Sequence, residues 1–465
     1  MDVMSDRSMG RTDAVMAEIR SRIAGRGLLP GARLPSVRAF AKTMHVSVST
    51  VVEAYERLAA EGLIRARPGS GFYVSSPLAP LSLSDIGPKL DREIDPLWVS
   101  RQALEDTDYL KPGCGWLPPS WLPQEAIRRA LRNLARSDDP LLTDYGTPLG
   151  SLPLRQLLSR RMAGHGISAA PEQIILTDSG TYAIDLICRF LLEPGDTVLV
   201  DDPCYFNFHA LLRAHRANVV SVPMTPAGPD VEAFGRVLEE HRPRLYITNS
   251  AIHNPTGAVL SPVVAHRLLK LADKAGLIIV EDDIFADLEY EPAPRLAAFD
   301  GLDRVIHIGS FSKTLSASMR CGFIAARPDW IEGLVDLKTA THFSSGRLPA
   351  ELVLSILTDG SYRRYLDELR LRLSKAMKQT IANLAPLGIT PWHTPQSGML
   401  LWCRLSDGVE AAEVARACLA DHIVLAPGNV FSQAPDAGRF LRFNVAQSED
   451  ARIFESLGRA LRRAG

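Results

Sequence analysis

Residues 303–323 read DRVIHIGSFSKTLSASMRCGF: an aliphatic, β-branched run that breaks at Gly309 into a serine-rich turn carrying Lys313 and, seven residues on, Arg320. A short continuous apolar run of this kind suits a strand buried on both faces, and the polar cluster falls where that strand stops. The same design repeats upstream in QIILTD (173–178), DTVLVDD (196–202), NVVSVPM (218–224), RLYITNS (244–250) and GLIIVEDD (276–283), several of them separated by helical segments. Strands alternating with helices predict an α/β fold with a mostly parallel sheet and helices on both faces. In such sheets ligands sit at the carboxyl ends of the strands. After Ser344 one long helical stretch, ELVLSILTDGSYRRYLDELRLRLSKAMKQTIANL (351–384), leads towards a smaller C-terminal α/β subdomain.

The strand ends carry the chemistry. Ser179, Gly180 and Thr181 lie between a strand and a helix, where free N–H groups and the helix dipole can hold a phosphate; an ordinary helix cap is the competing reading. Tyr205, just after Pro203, can stack on an aromatic ring or simply fill the core. The HNPTG run places Asn254 on a tight turn, where its amide can bond a phenolic oxygen. Asp282 ends a buried strand, and a buried carboxylate needs a positive partner: a protonated pyridine nitrogen, or the cation of a structural salt bridge. Asp283 is the rival for that role. Lys313 can form an imine with an aldehyde, with Ser310 and Arg320 placed for a phosphate on the same ligand. Arg442, in the β-like run FLRFNVA, needs an anion if buried, and a carboxylate of a substrate or effector suits its fork. Each residue alone has a bland reading. In this order they describe one cofactor, pyridoxal 5'-phosphate.

The N-terminal part follows a different pattern. Val15, Met16, Ile19 and Ile23 share a helical face; a short helix follows Ser36, with Val37, Phe40 and Ala41 inward; another follows Ser47 and stops at Gly62. Two short alternating runs around Pro68-Gly69-Ser70-Gly71 then read as a hairpin. Helix, helix, turn, helix and hairpin is the order of a winged helix-turn-helix, whose third helix enters the major groove. Ser47, Ser49 and Thr50 suit bases or phosphates, Arg38 a backbone phosphate, and Arg65, Arg67 and the tip at Gly69 the backbone or minor groove. The same serines also serve as plain caps and the same arginines as solvated charges, but the unit as a whole points to DNA.

Charge agrees with that division. The 465 residues sum to −1, yet Met1–Ser76 holds eleven Arg/Lys against seven Asp/Glu, about +4, which leaves about −5 for the rest. No apolar run reaches membrane-span length, the first residues lack a signal-peptide core, and the six cysteines show no C-x-x-C spacing. The expectation is a cytoplasmic protein, nucleoid-associated when on DNA, with reduced thiols, no metal site and no membrane partner. SPLAPLSLSDIGPKLDREIDP reads as a linker. The expected domains are 8–76, a linker over 77–107, and 108–465.

The stretch LPSVRAFAKTMHVSVSTVVEAYERLAAEGLIRARPGSGFYV (34–74) resembles the GntR family of bacterial regulators. From Asp108 to Ala464 the chain resembles the fold-type I, aspartate aminotransferase-like family of pyridoxal-phosphate proteins. That resemblance implies Lys313 as the cofactor-bearing lysine and catalytic residue, Asp282 at the pyridine nitrogen, Asn254 near the ring hydroxyl and substrate, and Tyr205 stacked on the ring. It implies Ser179, Gly180, Thr181, Ser310, Ser312 and Arg320 as the phosphate cup, and Arg442 as the carboxylate-binding arginine. Tyr145, in DYGTPLG, resembles the tyrosine that reaches the phosphate of a neighbouring subunit. One position departs: the family's tyrosine three residues after the pyridine aspartate is Phe285 here, which removes a donor to the ring hydroxyl. The whole arrangement resembles MocR/GabR-type regulators. It implies a head-to-tail homodimer that binds a double-stranded DNA operator and senses an amino-acid-like or vitamin B6 effector. An active aminotransferase is the alternative.

Overall fold

The computed structural model describes residues 10–24, 28, 31–75, 104, 108–136 and 143–464. The linker reading for 77–107 falls on residues outside this set, Leu104 apart. The chain divides into two compact units, Met1–Gly87 and Pro88–Gly465.

The first unit contains α1 (Arg11–Ala24), α2 (Val37–Met44), α3 (Val48–Ala60), β1 (Ile64–Arg67) and β2 (Gly71–Val74). Ser36 caps α2, its Oγ accepting from Ala39 N, and Ser47 caps α3, accepting from Thr50 N. Each cap satisfies a backbone donor that the first helical turn leaves without a partner. The strands pair antiparallel, Ile64 opposite Val74, and Gly69 takes the positive φ of 71° that the tip requires. Val15, Ile19, Phe40, Val51, Ala54, Tyr55 and Leu58 close one core, as the helical spacing of the sequence implies.

The second unit holds α4 (Gln124–Leu134), α5 (Leu152–Ala163), β3 (Ile174–Thr177), α6 (Gly180–Leu191), β4 (Thr197–Asp202), α7 (Phe206–Ala214), β5 (Asn218–Thr225), β6 (Gly228–Pro229), α8 (Val231–His241), β7 (Leu245–Thr248), α9 (Pro262–Ala275), β8 (Ile278–Asp282), α10 (Leu296–Asp300), β9 (Val305–Ser310), β10 (Gly322–Ala325) and α11 (Pro328–His342). These eight strands form one sheet in the order β3-β10-β9-β8-β7-β4-β5-β6. The pairs from β9 across to β5 are parallel, while β10 runs antiparallel to both neighbours and β6 antiparallel to β5. Successive strand residues enter opposite cores: Ile174 and Leu176 join one cluster, Ile175 the other, and Ile279 and Val280 divide likewise. Two buried faces explain why these strands read as continuous apolar runs rather than alternating ones.

The long helical stretch expected over 351–384 is two helices, α12 (Arg347–Thr358) and α13 (Ser361–Leu384). The break comes at Asp359, whose backbone turns extended (φ −70°, ψ 124°) and whose carboxylate accepts from Ser361 N, starting the next helix. The smaller subdomain is a four-stranded sheet, β11 (Thr390–Pro391), β12 (Leu400–Arg404), β14 (Phe440–Asn444) and β13 (Ala426–Pro427) in that order, with α14 (Ala411–Ala420) and α15 (Ala451–Ala464). Among the described residues no helix is long and apolar enough to cross a membrane, and all six cysteines are free and buried.

Candidate functional site

Lys313 stands in the turn after β9, half-buried. Its Nζ donates to the carbonyl of Gly115 at 2.6 Å and lies 5.9 Å from the centre of the Phe285 ring. Burial, and then the charge of Arg442, bring its pKa down to about 8, against the partial compensation of Asp282. An amine in this state is substantially unprotonated slightly above neutral pH, as a nucleophilic lysine must be.

Asp282 ends β8, and burial pushes its carboxyl up to about 7 while Asn249 and the Ile284 N–H pull it back. Ile284 N donates to its Oδ1 at 3.3 Å, and among the described residues no side-chain cation pairs with it. The rival, Asp283, is already committed. Arg295 grips both its oxygens at 3.1 Å and also binds Glu289, all three side chains being buried. Of the two, Asp282 is therefore the one left with a buried carboxyl in need of a positive partner.

Arg442, on β14, is 2% exposed. Its Nη1 donates to Asn254 Oδ1 at 2.9 Å, its Nη2 to Gly113 O at 2.5 Å, and Nε has no partner. The guanidinium lies 4.6 Å from the Phe431 ring centre, and no carboxylate pairs with it among the described residues. Burial lowers its pKa to about 10. A cation held this way by neutral groups is a site for an anion. Gly115 links the two basic groups, since a Cβ there would sit 3.7 Å from Arg442 Nη2 and 4.0 Å from Lys313 Nζ.

A polar corner lies at the start of α6. Ser179 caps the helix, Oγ accepting from Tyr182 N, and Gly180 opens it where a Cβ would lie 3.2 Å from Ile284 Cγ2 and in ordinary contact, 3.7 Å, with Ser310 Cβ. Ser310 Oγ is 3.0 Å from Ser312 Oγ. Thr181 and Arg320 are exposed. Tyr205 is half-buried before α7, its ring 4.9 Å from Phe206 and 5.5 Å from Phe208. Tyr145, 80% exposed, meets the exposed ring of Phe343 at 4.8 Å. Sequence reasoning missed Gly115, Asn249, Arg295 and Phe431. Asn249 stands at a strand end and was open to the logic used for Asp282; Arg295 and Phe431 lie in loops without a local signal.

In the N-terminal unit, Ser47 Oγ lies 2.8 Å from Ser49 Oγ and 2.7 Å from Thr50 Oγ1, so these hydroxyls gather on the cap. Arg38, Arg65, Arg67 and Gly69 are exposed, with Arg67 stacked 4.4 Å from the Tyr73 ring centre.

A lysine in a strand-end turn, a buried carboxyl without a cation, a serine-lined helix start and a buried arginine without an anion together fit pyridoxal 5'-phosphate. They define an aminotransferase-like domain. The aminotransferase class I and II model matches residues 118–459, and the model for bacterial regulatory proteins of the gntR family matches residues 11–74. The chain belongs to the aminotransferase class I and II family, fused behind a gntR-type helix-turn-helix in the arrangement of MocR-type regulators. It is 30% identical to the HTH-type transcriptional regulator YdcR of Escherichia coli (strain K12), over 94% of this chain and 95% of that one. It is 26% identical to the HTH-type transcriptional regulator NorG of Staphylococcus aureus (strain USA300), over 86% and 92%. Among solved structures it resembles LysN, the α-aminoadipate aminotransferase of Thermus thermophilus, complexed with N-(5'-phosphopyridoxyl)-L-leucine. That likeness has 28% identity and a TM-score of 0.71, over 83% of this chain and 99% of that one.

Proposed function

We propose that this chain is a pyridoxal-phosphate-dependent transcription regulator, in which residues 8–76 bind a double-stranded DNA operator and residues 108–465 sense an amino-acid-like or vitamin B6-related effector. The observation that carries the effector reading is Arg442, a buried guanidinium with an unpartnered Nε and only neutral acceptors. That arrangement suits a ligand carboxylate.

Bound pyridoxal phosphate supplies an aldehyde that condenses with primary amines and a ring that withdraws electrons. The chain's residues do the rest. Lys313 is the protein's own amine for that aldehyde, and an effector amine competes with it. Asp282 holds a proton for the ring nitrogen. Asn254 would bond the ring hydroxyl, Tyr205 would cover the ring, and Ser179, Gly180, Thr181, Ser310, Ser312 and Arg320 would take the phosphate. The functional unit is a head-to-tail homodimer in which Tyr145 serves the neighbouring subunit. The exposed Tyr145–Phe343 pair supports a second copy there. Six free thiols support a cytoplasmic setting.

The test is a visible spectrum of the purified holoprotein titrated with amino acids and with pyridoxal phosphate, read alongside DNA binding. An amine that moves both supports the reading. Lys313→Ala protein that binds and regulates DNA like the holoprotein under every ligand refutes it. The second reading, a working aminotransferase, draws on the lowered pKa of Lys313. Sustained keto-acid production at ordinary enzyme rates, with no specific DNA footprint, would put that reading first.

A further inference from the structure

The exposed side of α3 carries two large apolar side chains. Val48 is 49% exposed and Val52 36% exposed, one helical turn apart. They are not spare core residues, because α3 fills its core with Val51, Ala54, Tyr55 and Leu58. The hydroxyls beside them face one another instead. Ser47 Oγ accepts from Thr50 N at 3.1 Å, and the oxygens of Ser49 and Thr50 both lie within 2.8 Å of it. Farther along, the exposed Glu53 is engaged by Arg57 and by Thr12. The part of the exposed surface nearest the start of the helix is thus an apolar ridge, Val48 and Val52, next to hydroxyls that already have partners.

The charge of the unit points to what would cover that ridge. The unit is basic, about +4 over Met1–Ser76, and Arg38, Lys42 and Arg65 are exposed without an ion pair among the described residues. A polyanion satisfies those charges, and an apolar ridge on the same basic unit takes an apolar group of that polyanion. In the major groove of DNA the thymine 5-methyl is that group. We propose that Val48 and Val52 read thymine methyls in the major groove, so that part of the operator specificity is apolar contact rather than hydrogen bonding. This rests on the DNA-binding reading above.

The experiment uses the full-length holoprotein. Bound sequences are selected from a random duplex pool, and each thymine of the selected site is then replaced by deoxyuridine, which keeps every hydrogen-bonding group and removes only the methyl. Wild-type protein loses about fourfold in affinity for each methyl that is read. Val48→Ser/Val52→Ser protein, and Val48→Asn/Val52→Asn, which leave no methyl at either position, bind thymine and deoxyuridine duplexes at those positions with the same affinity. Equal wild-type affinity for both duplexes at every position overturns the proposal, as does a deoxyuridine penalty that survives in both double variants. If selection enriches no sequence and duplex binding shows no salt dependence, the DNA-binding reading itself falls, and this proposal with it. Salt-dependent, sequence-selective binding without a methyl effect sinks the valine contact alone.

Discussion

Lys313 shows why single residues are weak evidence and constellations are strong. Its pKa of about 8 follows from burial and from Arg442, so protonation sets how readily the amine can react. Capture of pyridoxal phosphate by cofactor-free protein should therefore slow as pH falls through about 8 and level off above it, which stopped-flow absorbance reads directly. A midpoint near 10, the ordinary range of lysine, would contradict the geometry. Phe285 gives a second test. It is buried against Lys313 where a hydroxyl would serve the cofactor, so Phe285→Tyr should shift the visible absorption of the holoprotein and raise any amino-transfer rate. An unchanged spectrum would mean that the ring hydroxyl already has its full set of donors. Asp282 was legible as a strand-end carboxylate, but its precedence over Asp283 was not. Adjacent residues at a strand end point to opposite faces, and the partner that claims Asp283 is Arg295, on a separate loop.

Among the elements, caps and apolar runs were legible because they are local. Ser36→Ala removes a cap worth about 1 kcal/mol, so amide exchange in α2 should quicken about fivefold while the second unit is unaffected. Short or interrupted elements were not legible. β10 is four residues that follow the Arg320 turn directly, and it is stabilised by β3 and β9 rather than by its own pattern. The division of α12 from α13 depends on one aspartate capping its neighbour. The segment carrying Gly113 and Gly115 is set by close approach: a Cβ at Gly113 would lie 2.4 Å from the Leu425 backbone. Gly113→Ala should cost about 1–3 kcal/mol in denaturant unfolding and weaken cofactor retention, because its carbonyl and that of Gly115 hold Arg442 and Lys313. Wild-type stability in that variant would show that the segment moves aside freely.

For the whole molecule, two units with separate cores and opposite charge were legible from composition, whereas the coupling proposed between them has no signature in sequence. On the DNA side, Arg38→Ala should weaken binding to all sequences alike and flatten the salt dependence by about one unit of slope. An unchanged slope would take Arg38 off the phosphate backbone. Coupling requires that effector and DNA favour different states of the protein to different extents. The decisive measurement is the DNA-binding isotherm of the holoprotein with and without the amine that moves its visible spectrum, repeated with Lys313→Ala. A change in affinity of about 5- to 150-fold that disappears in the variant is what a cofactor-borne sensor requires. Superimposable isotherms for the holoprotein with and without that amine would contradict it.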